Sequence, residues 1–153
     1  MEDLLELFGC GEKPKFNRRL ARDIAFKYIF AWSYDEEDIP DIAPRLDEMT
    51  FRENDKAYIL KVFEGVTKGR NELDGIISEK TRGWKKERLS KVCLAGVRLG
   101  LYEILHMDDI PLSVTINEIV EIIKTYDSPE AGGYANGIMG GFSESDKKND
   151  SGN

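Results

Sequence analysis

The sequence predicts an all-α fold. Three observations carry that prediction: apolar residues return at steps of three and four from Phe16 to Phe142, capping residues stand where those runs begin, and no useful period-two segment interrupts them. With 153 residues, 41% of them hydrophobic, the chain can fill one core, here expected as two packed helical halves and about seven helices.

In chain order, residues 1–15 are expected to form a flexible leader. They hold the amphipathic stretch "DLLELF" and then "GCGEKPK", whose Gly and Pro break regular structure. An N-terminal helical half is expected over 16–80. It opens with "NRRLARDIAFKYIFAW", where Asn17 is placed to cap and Leu20, Ala21, Ile24, Ala25, Tyr28, Ile29 and Trp32 repeat at helical spacing. "SYDEEDIPDIAPRLDEMT" reads as a connection with one short helix. Asn54 then opens a pattern predicting a single helix to about Ser78, with Gly65 and Gly69 permitting close helix contact. The polar, basic stretch "SEKTRGWKKERLS" marks the boundary to a C-terminal half over 81–142. There, Ser90 starts a helix with Val92, Ala95, Leu99, Tyr102 and Leu105 on its core side. Pro111 suits the start of the next, whose stripe is Ile116, Ile119, Val120 and Ile123. "DSPEAGGYANGIMGGF" predicts a last short helix with Tyr134, Ile138 and Phe142 on one side, packed tightly through Gly137 and Gly140 and ended by Gly141. The polar residues 143–153 are expected to be disordered.

Charge is unevenly distributed. The formal net charge is -7, yet Lys13 to Lys27 holds six basic residues against one acid, and Lys80 to Lys91 holds six more against one. Such segregation fits a polyanion-binding face on an acidic body better than it fits two solvated helix faces. Arg18, Arg19 and Arg22 fall in the first turns of the first long helix, where the helix dipole disfavours cations by a few tenths of a kcal/mol each. An anion docked at that end would reverse the balance. The expectation is therefore that these guanidinium groups are exposed and gathered beside Tyr134. Tyr134 and Asn136 are an aromatic and an amide of the kind that read single-stranded RNA, although a plain core tyrosine fits the pattern as well.

Other chemistry finds little support. The single histidine, His106, has no ligand-spaced companion, and Glu118 and Glu121 lack the Glu-x-x-His partner of a carboxylate-bridged metal site. Asp108 and Asp109 fit a turn, and no activated nucleophile is recognisable. "GGYANGIMGG" lacks the ending of a phosphate loop. Cys10 and Cys93 form neither a metal pair nor a disulfide framework, and Cys93 is expected in the core. The reading is thus of no enzyme, no metal and no cofactor. No apolar run reaches the roughly 18 residues of a membrane span and the start is acidic, so a cytoplasmic protein is expected.

The motifs "RRLARDIAFKYIFAW", "FEGV" at Phe63 to Val66, "VRLGLYEIL" at Val97 to Leu105, "DDIPLSVTINEIVEIIK" at Asp108 to Lys124 and "YANGIM" at Tyr134 to Met139, in this order, resemble the NusB family of transcription antitermination factors over about residues 16–142. The resemblance implies two packed helical halves. It also implies binding to boxA-like single-stranded RNA together with the small-subunit ribosomal protein NusE, within the transcription elongation complex that makes ribosomal RNA. By matching motifs it maps RNA contacts to Arg18, Arg19, Arg22, Arg98, Tyr134 and Asn136, and partner contacts to Phe30 and Glu130. Cys93 stands where the family usually has an acid, and Gly132 and Gly133 where it usually has larger polar side chains. A helical scaffold that binds a protein partner without RNA selectivity is the alternative, and self-association into a homodimer is compatible with either.

Overall fold

The computed structural model describes residues 17–49, 52–81 and 89–142. The expected leader, the expected tail and most of the second basic segment lie outside the described residues. Seven helices and no strand occur among those described: α1 (Arg18–Trp32), α2 (Ala43–Asp47), α3 (Glu53–Lys68), α4 (Arg70–Thr81), α5 (Lys91–His106), α6 (Leu112–Tyr126) and α7 (Pro129–Met139).

Local chemistry accounts for the helix starts. The Asn17 side chain accepts a hydrogen bond from the Leu20 amide at 2.9 Å, Ser90 accepts from Cys93 at 3.0 Å, and Ser128 accepts from Ala131 at 3.1 Å. Each satisfies one of the orphan donors of a first turn. Pro111 is the residue before α6 rather than its first, and Pro129 takes the first turn of α7.

The long helix expected from Asn54 to Ser78 is instead two, α3 and α4, parted at Gly69. The Gly69 amide closes on the Gly65 carbonyl, ending α3 where an apolar stripe alone gives no signal of a stop. Gly65 serves the close contact expected of it, since a Cβ there would sit 2.0 Å from the Tyr102 ring. At α7 the glycine roles differ from expectation. Gly137 faces open space, while Gly132, at the α6 interface, would meet the Lys124 stem 2.6 Å away.

α5 is the axis of the molecule. It packs against α1, α3, α4, α6 and α7, and every residue from Cys93 to Leu101 is buried. Its core is therefore wider than the one-sided stripe read from sequence, because a helix surrounded by others has no outer face to keep polar. Gly96 and Gly100 let Ile119, Ile123 and Met139 approach its backbone. Ile29, Ile59, Leu99, Leu101, Ile104 and Ile123, drawn from α1, α3, α5 and α6, are fully buried in one core. Among the described residues, no helix is long and apolar enough to cross a membrane.

Candidate nucleic-acid interface

The three arginines at the start of α1 go to three different environments. Arg22 is 2% exposed and reaches Glu103 through bonds of 2.7 and 3.2 Å. Glu103, itself 0% exposed, also accepts from the Tyr58 hydroxyl and, at 2.7 Å, from Thr115. One carboxylate thus joins α1, α3, α5 and α6. Burial alone lowers the Arg22 pKa, but the hydrogen bond and charge of Glu103 more than offset it. The same burial, with Glu103 beside it, holds the Tyr58 hydroxyl protonated well above its ordinary range.

Arg98 repeats this arrangement from α5. It is wholly buried, bonds Asp74 of α4 at 2.9 and 2.8 Å and Glu36 at 2.7 Å, and lies over the Trp32 ring. Arg22 and Arg98 are therefore corrections to the expected set of surface contacts. A buried guanidinium without carboxylates would be far too costly, and the fold supplies three: Glu103 and Asp74 from neighbouring helices and Glu36 from the connection after α1.

Arg18 is half-way. Its guanidinium pairs with buried Asp55 at 3.3 Å and lies 4.4 Å from the Tyr58 ring centre. Arg19 alone of the three reaches well into solvent, with its side chain 79% exposed, and it forks onto Glu118 of α6 at 3.0 Å. The expectation that all three are exposed is thus corrected, and each of the three meets an acid. Only the Arg19 pair is open to solvent, where such pairs are screened and readily exchanged.

Downstream of Arg19 the same edge of α1 carries a row of rings. Phe26 stacks on Tyr126 of α6 with centroids 5.5 Å apart and on Phe30 at 6.2 Å, and Phe30 meets Tyr34 edge-on at 5.4 Å. Phe26 is buried, Phe30 is partly buried, and Tyr126 and Tyr34 are exposed. Cations flank the row. Lys27 Nζ lies 5.5 Å from the Tyr126 ring centre and Lys91 Nζ 4.9 Å from that of Tyr34. Tyr126 donates to Asp23 at 2.9 Å, and Asp23 pairs with Lys27 at 3.0 Å. Burial opposes the Lys27 charge, but Asp23 and Tyr126 outweigh it and raise its pKa.

Tyr134 and Asn136 are exposed on α7. The two hollows beside Tyr134 are lined from the end of α4, the start of α5, the α6–α7 turn and α7 itself, with no residue from α1. Leu89, Ile138, Lys80 and Glu130 are among them. None of the three α1 arginines lines either hollow; Arg18, Arg19 and Arg22 go instead to Asp55, Glu118 and Glu103. Cys93 is buried below one hollow, its thiol pushed up to about 11 by burial and by Asp127. Gly133 faces open space.

A family model described as the NusB family matches residues 19–144. The chain belongs to the NusB family. Among curated relatives, the transcription antitermination protein NusB of Acetivibrio thermocellus is 44% identical over 80% of this chain and 86% of its own, and that of Ruminiclostridium cellulolyticum 40% identical over 84% and 90%. Among solved structures, NusB of T. maritima superposes with a TM-score of 0.73 at 31% identity, covering 83% of this chain and 90% of its own. A complex of the antitermination factors NusB and NusE with dsRNA shares the fold, with a TM-score of 0.69 at 22% identity over 81% and 93%. As a NusB-family member the protein is a non-enzymatic antitermination factor. Sequence reading counted Lys27 and Lys91 within the two basic clusters but did not single out Phe26, Tyr34 or Tyr126. Phe26, Phe30 and Tyr34 recur every four residues in the sequence, so that part of the row was legible; Tyr126 joins it only through tertiary packing.

Proposed function

We propose that this NusB-family chain binds boxA-like single-stranded RNA along the α1–α6 edge and acts with NusE on the elongation complex in ribosomal RNA transcription. One observation carries the reading: the row Tyr126, Phe26, Phe30 and Tyr34, edged by Lys27 and Lys91 and preceded by exposed Arg19. Rings with exposed faces stack on unpaired bases of any sequence, and cations spaced along them neutralise the accompanying phosphates. The relatives' name, and a structural neighbour in which NusB and NusE are in complex with dsRNA, support RNA as ligand and NusE as partner. The hollows around Tyr134, apolar at Leu89 and Ile138 and bordered by Glu130 and Lys80, suit a protein partner better than a polyanion. We assign them to NusE.

Titration of a boxA-like RNA and a scrambled RNA, each with and without NusE, tests the proposal. Joint binding selective for the boxA-like sequence is expected. Binding of NusE with no preference between the RNAs would favour the protein-scaffold alternative. With Arg19, Lys27 and Lys91 meeting phosphates, log affinity is expected to fall against log salt with a slope near -2, at about -0.7 per contact.

A further inference from the structure

Tyr34, the most exposed ring of the row, stands on the turn that follows α1, and that turn is tied to three helices. Glu36 makes most of the ties. Each oxygen of its carboxylate takes its own cation: Arg70, the first residue of α4, donates to Oε1 at 3.3 Å, and Arg98 of α5 donates to Oε2 at 2.7 Å. Its main-chain carbonyl accepts from Trp32 Nε1 of α1 at 3.2 Å. On the other side of Tyr34, the Ser33 hydroxyl donates to the Phe30 carbonyl at 2.6 Å, and the Ser33 carbonyl accepts from Lys91 at 3.1 Å. Tyr34 thus lies between two fixed points, with its ring edge-on to Phe30.

The need of Arg98 for a carboxylate does not account for this clamp, because its Nε and Nη2 already fork onto Asp74 and only Nη1 reaches the turn. The turn itself buries little: Tyr34, Asp35, Glu37 and Asp38 are all exposed. A connection of that kind is ordinarily among the loosest parts of a fold, and a loose ring has to be ordered, at a cost in affinity, before a base can stack on it. We propose that Glu36 is a positioning residue for RNA binding: held by Arg98 and Arg70, it fixes Tyr34 at the end of the ring row before a base arrives. Arg98 and Arg70 then act on RNA without touching it. The consequence rests on the RNA reading, whereas the clamp does not. Charge alone argues the opposite way, since removing an acid beside a polyanion site should tighten binding.

Glu36→Gln in the full chain tests this with two readouts. In the RNA-free protein, NMR relaxation should show the backbone order parameters of Tyr34 and Asp35 falling from rigid values near about 0.85 to below about 0.6. Unchanged order parameters overturn the clamp. Affinity for a boxA-like RNA should fall about fivefold, the cost of ordering roughly one residue of backbone on binding. The salt slope should stay as it was, because no phosphate contact is lost. Equal or tighter binding overturns the positioning role. In a Tyr34→Ala background the same substitution should no longer weaken binding; a loss that persists there means that Glu36 acts through the fold at large, and also overturns it. Should Glu36→Gln unfold within the assay range, Arg70→Gln leaves Arg98 on both Asp74 and Glu36 and should show a loss with the same dependence on Tyr34 and the same salt slope. Full affinity in Arg70→Gln overturns its share in the clamp. If neither the parent chain nor the variant binds RNA while the order parameters fall as expected, the clamp stands and the RNA reading alone is overturned.

Discussion

Arg19 and Arg22 lie three positions apart on one helix, and the molecule uses them in opposite ways. Arg22 turns into the interior, where Glu103, Tyr58 and Thr115 complete a polar knot joining four helices; Arg19 turns out and forks across to α6. Arg98 belongs with the first, Lys27 and Lys91 with the second. A cluster of like charges in a sequence is thus two populations separated by helical phase. One specifies architecture, and the other remains available to an anion.

The largest test of that division is at the knot. Arg22→Ala leaves Glu103 buried without its cation, and denaturant unfolding should register a loss of about 3–5 kcal/mol. A change under about 1 kcal/mol would place the pair among ordinary surface contacts. Replacing Arg22 and Glu103 together by apolar residues of similar volume should recover much of the loss, since no charge is then left uncompensated.

Cys93 gives a smaller effect with a defined sign. Its thiol is raised from 9.0 to about 11 by burial first and Asp127 second. The fold therefore favours the neutral form. That stability is fully present below the unfolded value and lost as pH rises through the folded one, up to about 3 kcal/mol between pH 9 and 11 at about 1.4 per unit. Cys93→Ala should flatten the alkaline limb of the stability profile; an unchanged limb would remove Cys93 as its source.

Tyr126→Ala should weaken RNA binding by about 1–3 kcal/mol through lost stacking. Tyr134→Ala should spare RNA and weaken NusE binding. The reverse pattern would restore Tyr134 to the RNA site. At Gly65, alanine would press on the Tyr102 ring and should lower stability by about 1–3 kcal/mol, with relief when Tyr102 is trimmed to leucine.

Much of this was legible in the sequence, and the failures have physical causes. Helical period and side-chain caps at Asn17 and Ser90 sufficed for the helix starts, because those signals are local. The break at Gly69 was not, since the apolar stripe runs on past it and one glycine inside a helical pattern is compatible with continuation. The candidate site divided likewise. Arg22 and Arg98 read as surface cations because their partners Glu103 and Asp74 are 81 and 24 residues away in sequence, beyond any local pattern. Tyr126 met the α1 rings only through packing at a separation no periodicity encodes.

The most direct test of the division between inward and outward charge is the salt dependence of RNA binding by Arg19→Ala, Lys27→Ala, measured beside its thermal unfolding. The account predicts a salt slope shallower by about 1.4, two contacts at about 0.7 each, with the unfolding midpoint essentially unmoved. An unaltered slope would show that these outward cations meet no phosphate, and would contradict the account.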